Sequence, residues 1–238
     1  MKLSFSTAIT IPAASILLTL AAGCSRFSGS TRIETVERPD SITNFSTLYG
    51  QNCAGCHGKN GQNGAALDLA NPVYQAWVDD ATLQRIISKG EPPTQMPAFA
   101  LSSGGLLTDA QVEALVKGMR SAWPAKDALN GQNPPPYEAS GQGDAVQGEK
   151  TYQSACARCH SQAGQQVTDP TYLALVDDQT LRTIIVAGRP DLGHPDWRGD
   201  IPGRPLTGQE VSDIIAYLNS LRSQTPGQPY AQPTAHQQ

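Results

Sequence analysis

Four of the five cysteines stand in two pairs, each followed at once by a histidine: Cys53-Ala54-Gly55-Cys56-His57 and Cys156-Ala157-Arg158-Cys159-His160. Two thiols one helical turn apart can reach the two vinyl groups on one edge of a porphyrin. The next residue then points an imidazole at the iron, which is the attachment chemistry of c-type haem. Three other chemistries use similar residues. A thioredoxin-type pair does not need the histidine and wants a βαβ context. A zinc site would have to draw together pairs about a hundred residues apart. Structural disulfides suit an exported chain. Two complete copies, with Cys24 the only cysteine left over, favour two covalent haem c groups held by Cys53, Cys56, Cys156 and Cys159, with His57 and His160 on the metals.

The elements that must position these groups come as an internal repeat. Thirteen of the 26 positions from 72 to 97 are identical to those 98 residues later, among them Tyr74/Tyr172, Ile86/Ile184, Gly90/Gly188 and Pro97/Pro195. The cysteines repeat at an offset of 103, so the second copy is five residues shorter just after its haem motif, a change that belongs in a surface loop. The copies span 44–123 and 145–222. Between them, 124–144 is Pro/Gly-rich and includes Asn133-Pro134-Pro135-Pro136-Tyr137. Such a run reads as an extended, semi-rigid spacer in preference to a ligand for a recognition domain.

Both copies read as all-α. A short helix should end in each haem motif. Asp79/Asp80 and Asp177/Asp178 can cap middle helices that Gly90 and Gly188 stop, burying Ile86/Ile87 and Ile184/Ile185. Thr108…Gln111 and Thr207…Glu210 have capping-box spacing for a last helix. That helix should bury Val112, Leu115, Val116 and Met119, or Val211, Ile214, Ile215 and Leu218. No alternation marks a strand. A core this small is marginal alone, and a covalent haem would give it a large apolar body to pack against.

With these parts in order, each half resembles a class I cytochrome c domain: N-terminal helix, Cys-x-x-Cys-His, middle helix, distal-ligand loop and C-terminal helix. The resemblance implies two tandem helical domains, each wrapped around one haem. It also implies a sixth ligand from a Met-Pro segment after the middle helix. Met96-Pro97 supplies this in copy one, while Met119 falls in the apolar stripe of the last helix. Copy two has no methionine and places His194-Pro195 at that position. His194 either completes bis-histidine ligation with His160 or swings out and leaves the iron open. His236, in the tail, has no assigned role. In such domains the first and last helices cross closely, often glycine against aromatic. Gly148 and Tyr217 fit in copy two, whereas Phe45 and Gly118 exchange large and small in copy one.

The rest of the chain sets location and partners. Lys2 followed by the apolar run Ile9–Ala22 reads as an export signal too short to span a membrane. Its end, Leu20-Ala21-Ala22-Gly23-Cys24, resembles a bacterial lipobox, with leucine four residues before the cysteine and alanine in the usual leucine place. The expectation is a signal peptide over 1–23, lipid on Cys24, a polar tether to 43 and a disordered tail over 223–238. The body would then face the periplasm or cell exterior, anchored to the cell or outer membrane. A net charge of −4 over 238 residues excludes a general nucleic-acid binder. Two saturated irons with no acid, base or substrate residue nearby favour an electron carrier serving redox proteins or a larger membrane oxidoreductase. A dihaem peroxidase, a thiosulfate-oxidising cytochrome or a gas sensor remain as alternatives, of which the peroxidase and the sensor need an open iron.

Overall fold

The computed structural model describes residues 37–92, 94–161 and 167–223. The signal segment, Cys24, most of the tether, the shortened loop at 162–166 and the tail with His236 lie outside the described residues. From Arg38 onward the described residues form one compact unit.

The first half runs through α1 (Phe45–Asn52), α2 (Ala54–His57), α3 (Pro72–Trp77), α4 (Asp80–Lys89) and α5 (Asp109–Ala122). The second half repeats the order with α6 (Ala145–Ala155), α7 (Ala157–His160), α8 (Pro170–Leu173), α9 (Asp178–Ala187) and α10 (Gly208–Ser220). Among the described residues only isolated β-bridges occur. Asp79 and Asp177 cap α4 and α9 by accepting from the backbones of Thr82 and Thr180. Both helices stop at a glycine with positive φ, +70° at Gly90 and +73° at Gly188. Complete capping boxes start α5 and α10, with Thr108–Gln111 and Thr207–Glu210 bonded reciprocally.

Inward faces follow the apolar spacing. Val112, Leu115, Val116 and Met119 are buried from α5, and Val211, Ile214, Ile215 and Leu218 from α10. Met119 is 2% exposed, a core residue as its stripe required. Each such side chain contributes about 1.5–3 kcal/mol when fully buried. The crossings of first and last helices differ between halves. A Cβ on Gly118 would lie 2.2 Å from the Phe45 ring, so small against large holds there. A Cβ on Gly148 would meet Asp213 O at 1.8 Å. The close approach of α6 is therefore to the backbone of α10, while Tyr217 packs on Tyr152 at 5.4 Å. The close crossing expected at Gly148 is thus made against the α10 backbone, with Tyr217 on the same helix packed on Tyr152.

An arginine in each half ties the last helix to the carbonyls before the middle helix. Arg120 donates to Gln75 O, to Val78 O and to Asp80 Oδ1. Arg222 does the same for Leu173 O, Val176 O and Asp178. Arg222 stands three residues past the position aligned with Arg120, one helical turn on, so the clamp survives where identity does not.

The connection between the halves is packed into both. Pro135 is buried and its carbonyl accepts from Trp77 Nε1 at 2.7 Å. Arg182 Nε donates to Pro136 O at 2.8 Å, and Gln179 Nε2 to Tyr137 O at 2.9 Å. The Tyr137 and Trp77 rings meet edge-on at 5.1 Å. The Pro run has no helix or strand of its own, and it is a docked strap and not a free spacer.

Candidate functional site

In the first half, α1 ends at Cys53, whose N–H still bonds Tyr49 O and whose carbonyl accepts from Cys56 and His57. That single turn sets the two thiols and the imidazole on one side of the chain. His57 is buried, and its Nδ1 lies 2.8 Å from Leu67 O. A carbonyl only accepts, so Nδ1 carries the proton and Nε2 keeps its lone pair for a metal. Burial, with the Arg189 cation a smaller contributor, holds the imidazole pKa below its usual range. The loop from Gly58 to Ala70 closes over this histidine. Tyr49 Oη donates to Gly58 O at 2.8 Å, Ala66 N–H to Cys56 O, and Ala70 N–H to Gly61 O. Gly64 is required there, because a Cβ would fall 2.2 Å from Cys56 O.

The second half repeats the turn, with Cys159 and His160 bonded back to Cys156 O. Arg158 on the same turn donates to Gly199 O. All four thiols are unpaired with one another; Cys56 and Cys159 are exposed, and Cys53 is buried. Burial pushes the Cys53 thiol up to about 11 and the Cys156 thiol up to about 12. Beside Cys156, Asp200 is buried with Oδ2 unpartnered, and desolvation raises its carboxyl to about 7. A cleft of about 480 Å³ opens next to His160, walled also by Tyr152, Tyr217 and Leu221.

The two distal loops have one design. Gly90 and Gly188 turn the chain, and a Cβ on either would lie 2.6 Å from a carbonyl of the loop, Met96 O or Pro195 O. Glu91 N–H donates to Met96 O and Arg189 N–H to His194 O, both at 3.1 Å. Met96 and His194 therefore occupy equivalent places, Met96 half-buried. His194 N–H also returns a bond to Arg189 O at 3.0 Å, and its Nδ1 is engaged by Pro195 O at 2.7 Å. The same reasoning as for His57 leaves Nε2 with its lone pair.

The His160 and His194 rings lie close together, with centroids 5.8 Å apart and planes tilted by 38°. Two imidazoles sharing one metal, about 2 Å from each nitrogen, have centroids roughly 6 Å apart. Free thiols on one turn, histidines fixed through Nδ1 and this ring spacing fit a covalent, axially ligated haem. Sequence reasoning missed Asn71, Arg189 and Asp191, which join the loops of the two halves. The available signal was asymmetry within the repeat: they align with Asp169, Glu91 and Pro93.

Comparison with known proteins matches two separate stretches of the chain. The family described as cytochrome c oxidase, cbb3-type, subunit III matches residues 40–117, and the family cytochrome c matches 145–222. The cbb3-type cytochrome c oxidase subunit FixP of Bradyrhizobium diazoefficiens is 26% identical over 195 residues, covering 74% of this chain and 59% of that protein. Subunit CcoP of Azospirillum sp. is 25% identical over 218 residues, covering 79% and 67%. The chain thus spans about three fifths to two thirds of the length of these relatives. A solved Kuenenia stuttgartiensis reducing HAO-like protein complex aligns over 79% of this chain and all of its own, at 18% identity and a TM-score of 0.44. Among the described residues no helix is long and apolar enough to cross a membrane.

Proposed function

The chain is a dihaem class I cytochrome c, an electron-transfer protein of two tandem domains with one covalent haem c each, and from this we propose an exported carrier with two unlike redox centres. His57 and Met96 would hold the first iron, His160 and His194 the second. Haem supplies a one-electron ferric/ferrous couple when bound. The protein supplies thioether attachment at Cys53, Cys56, Cys156 and Cys159, and imidazoles held by Leu67 O and Pro195 O. The observation that carries the reading is the close His160–His194 pair, with ring centroids at 5.8 Å. It favours a saturated iron and outer-sphere electron transfer over an open catalytic or gas-binding site.

The partners would be small redox proteins or a larger membrane oxidoreductase, a role the relatives' description as oxidase subunits supports. Lipid on Cys24 would hold the body at a membrane, facing the periplasm or cell exterior. A redox titration followed by visible spectra, with carbon monoxide added to the reduced protein, tests the reading. Two separate one-electron steps and no carbon monoxide adduct are expected; a ready adduct at the second haem overturns it. Cys24→Ser should release the protein from membranes with both haems still attached, and unchanged membrane association without a bound partner would refute the anchor.

A further inference from the structure

Asn71 works for both halves at once. Its Oδ1 accepts from Val73 N–H at 2.8 Å and Tyr74 N–H at 3.3 Å, capping α3. Its Nδ2 donates to Ala187 O at 2.7 Å and Gly188 O at 3.2 Å, at the end of α9. The residue is 2% exposed, so these bonds form away from water, where losing one is costly. Asp169, its counterpart in the second copy, caps α8 with the same geometry but is exposed and has no amide donor.

Next to it, Arg189 grips Asp191 through a fork, Nε to Oδ1 and Nη2 to Oδ2, both at 2.8 Å. Nη2 also donates to Gly64 O at 3.2 Å, and Asp191 Oδ2 accepts from Asn63 N–H at 3.0 Å. Asn63 and Gly64 belong to the loop over His57. Arg189 and Asp191 belong to the loop presenting His194, and Arg189 exchanges backbone bonds with His194 itself. In the first copy, Glu91 turns instead to Arg85 of α4.

We infer that Asn71, Arg189 and Asp191 are positioning residues for the distal ligand of the second haem, with the haem loop of the first domain as the template against which the His194 loop is set. The inference rests on His194 being that ligand. It makes the second centre dependent on the first domain, although no residue of the first domain need touch the second iron.

The test uses the intact dihaem protein and two variants. Asn71→Asp keeps the α3 cap, as Asp169 shows for α8, but turns two donors into a carboxylate facing two carbonyls. Arg189→Gln removes the fork and its bond to Gly64. Both should make the reduced second haem reactive to carbon monoxide and shift its potential, while the methionine–iron charge-transfer band of the first haem persists. A purely architectural role predicts a lower Tm with the second haem silent to carbon monoxide and its potential unchanged. That result overturns the inference while leaving bis-histidine ligation intact. Carbon monoxide binding to the second haem of the unsubstituted protein removes the ligation itself and overturns both, so the two failures are distinguishable.

Discussion

Replacing His194 by methionine should bring the two haem potentials together. Thioether sulfur is the poorer donor and favours ferrous iron, so His/Met ligation sits higher than bis-histidine ligation. Two differences between the domains act in the same direction, and magnitudes decide which dominates. The second half carries net −3 over 144–223, against −1 over 44–123. One exposed charge roughly 15 Å from an iron in a water-like dielectric contributes about 0.3 kcal/mol. That is about 12 mV for one electron, so two extra charges add about 25 mV, less in salt. Axial ligands act on a scale whose full span is about 0.8 V, so a gap on the order of 0.1–0.3 V belongs almost wholly to the ligand. The assay is a spectroelectrochemical titration of the native protein and His194→Met. The native protein should take its first electron at the Met96 haem. In the variant the lower potential should rise until the two steps are within a few tens of mV, the size of the charge term. A second methionine–iron charge-transfer band should appear in the oxidised spectrum. A single potential in the native protein, or a variant whose lower potential does not move, would refute the reasoning.

Met96→Leu should abolish the charge-transfer band of the first haem, whereas Met119→Leu should keep it and cost less than about 1.5 kcal/mol on thermal unfolding, because it nearly conserves core volume. Cys156→Ala/Cys159→Ala should retain one covalent haem by denaturing mass spectrometry, against two in the native chain; a disulfide in place of either haem would contradict the attachment. Gly118→Ala gains about 1 kcal/mol of helix propensity but drives a methyl into the Phe45 ring, where overpacking costs about 1–3 kcal/mol, so Tm should fall. Glu210 is held down to about 2, first by its hydrogen bond to Arg204. A depressed carboxylate stabilises the fold above its unfolded pKa and loses that contribution as pH falls through the folded value. Acid unfolding between about pH 4.3 and pH 2 should therefore be shallower in Glu210→Gln, which keeps the capping box but not the ion pair.

The sequence by itself determined the two haem turns, the helices around them and the alignment of Met96 with His194. These are local facts. A capping box needs residues three apart, a buried stripe needs spacings of three and four, and a distal loop needs a glycine and a proline at fixed distances. Thr108–Gln111, Thr207–Glu210 and the Gly90 and Gly188 stops were legible for that reason. The tertiary structure alone decided what the unrepeated residues do. Asn71 reads as a helix cap from its neighbours, and nothing within its half reveals that its amide also bonds carbonyls 116 and 117 residues away. Arg189 follows a helix stop and reads as surface charge, yet it is buried between two loops. Pro135 looks like spacer and is enclosed by Trp77 and the second domain. At Gly148, the nearest neighbour is the Asp213 backbone of α10, while Tyr217 packs on Tyr152. No local period encodes these contacts. Those of Asn71, Arg189 and Pro135 arise only when two folded repeats meet, and buried donors and acceptors there must find partners across the join or bear the full cost of desolvation.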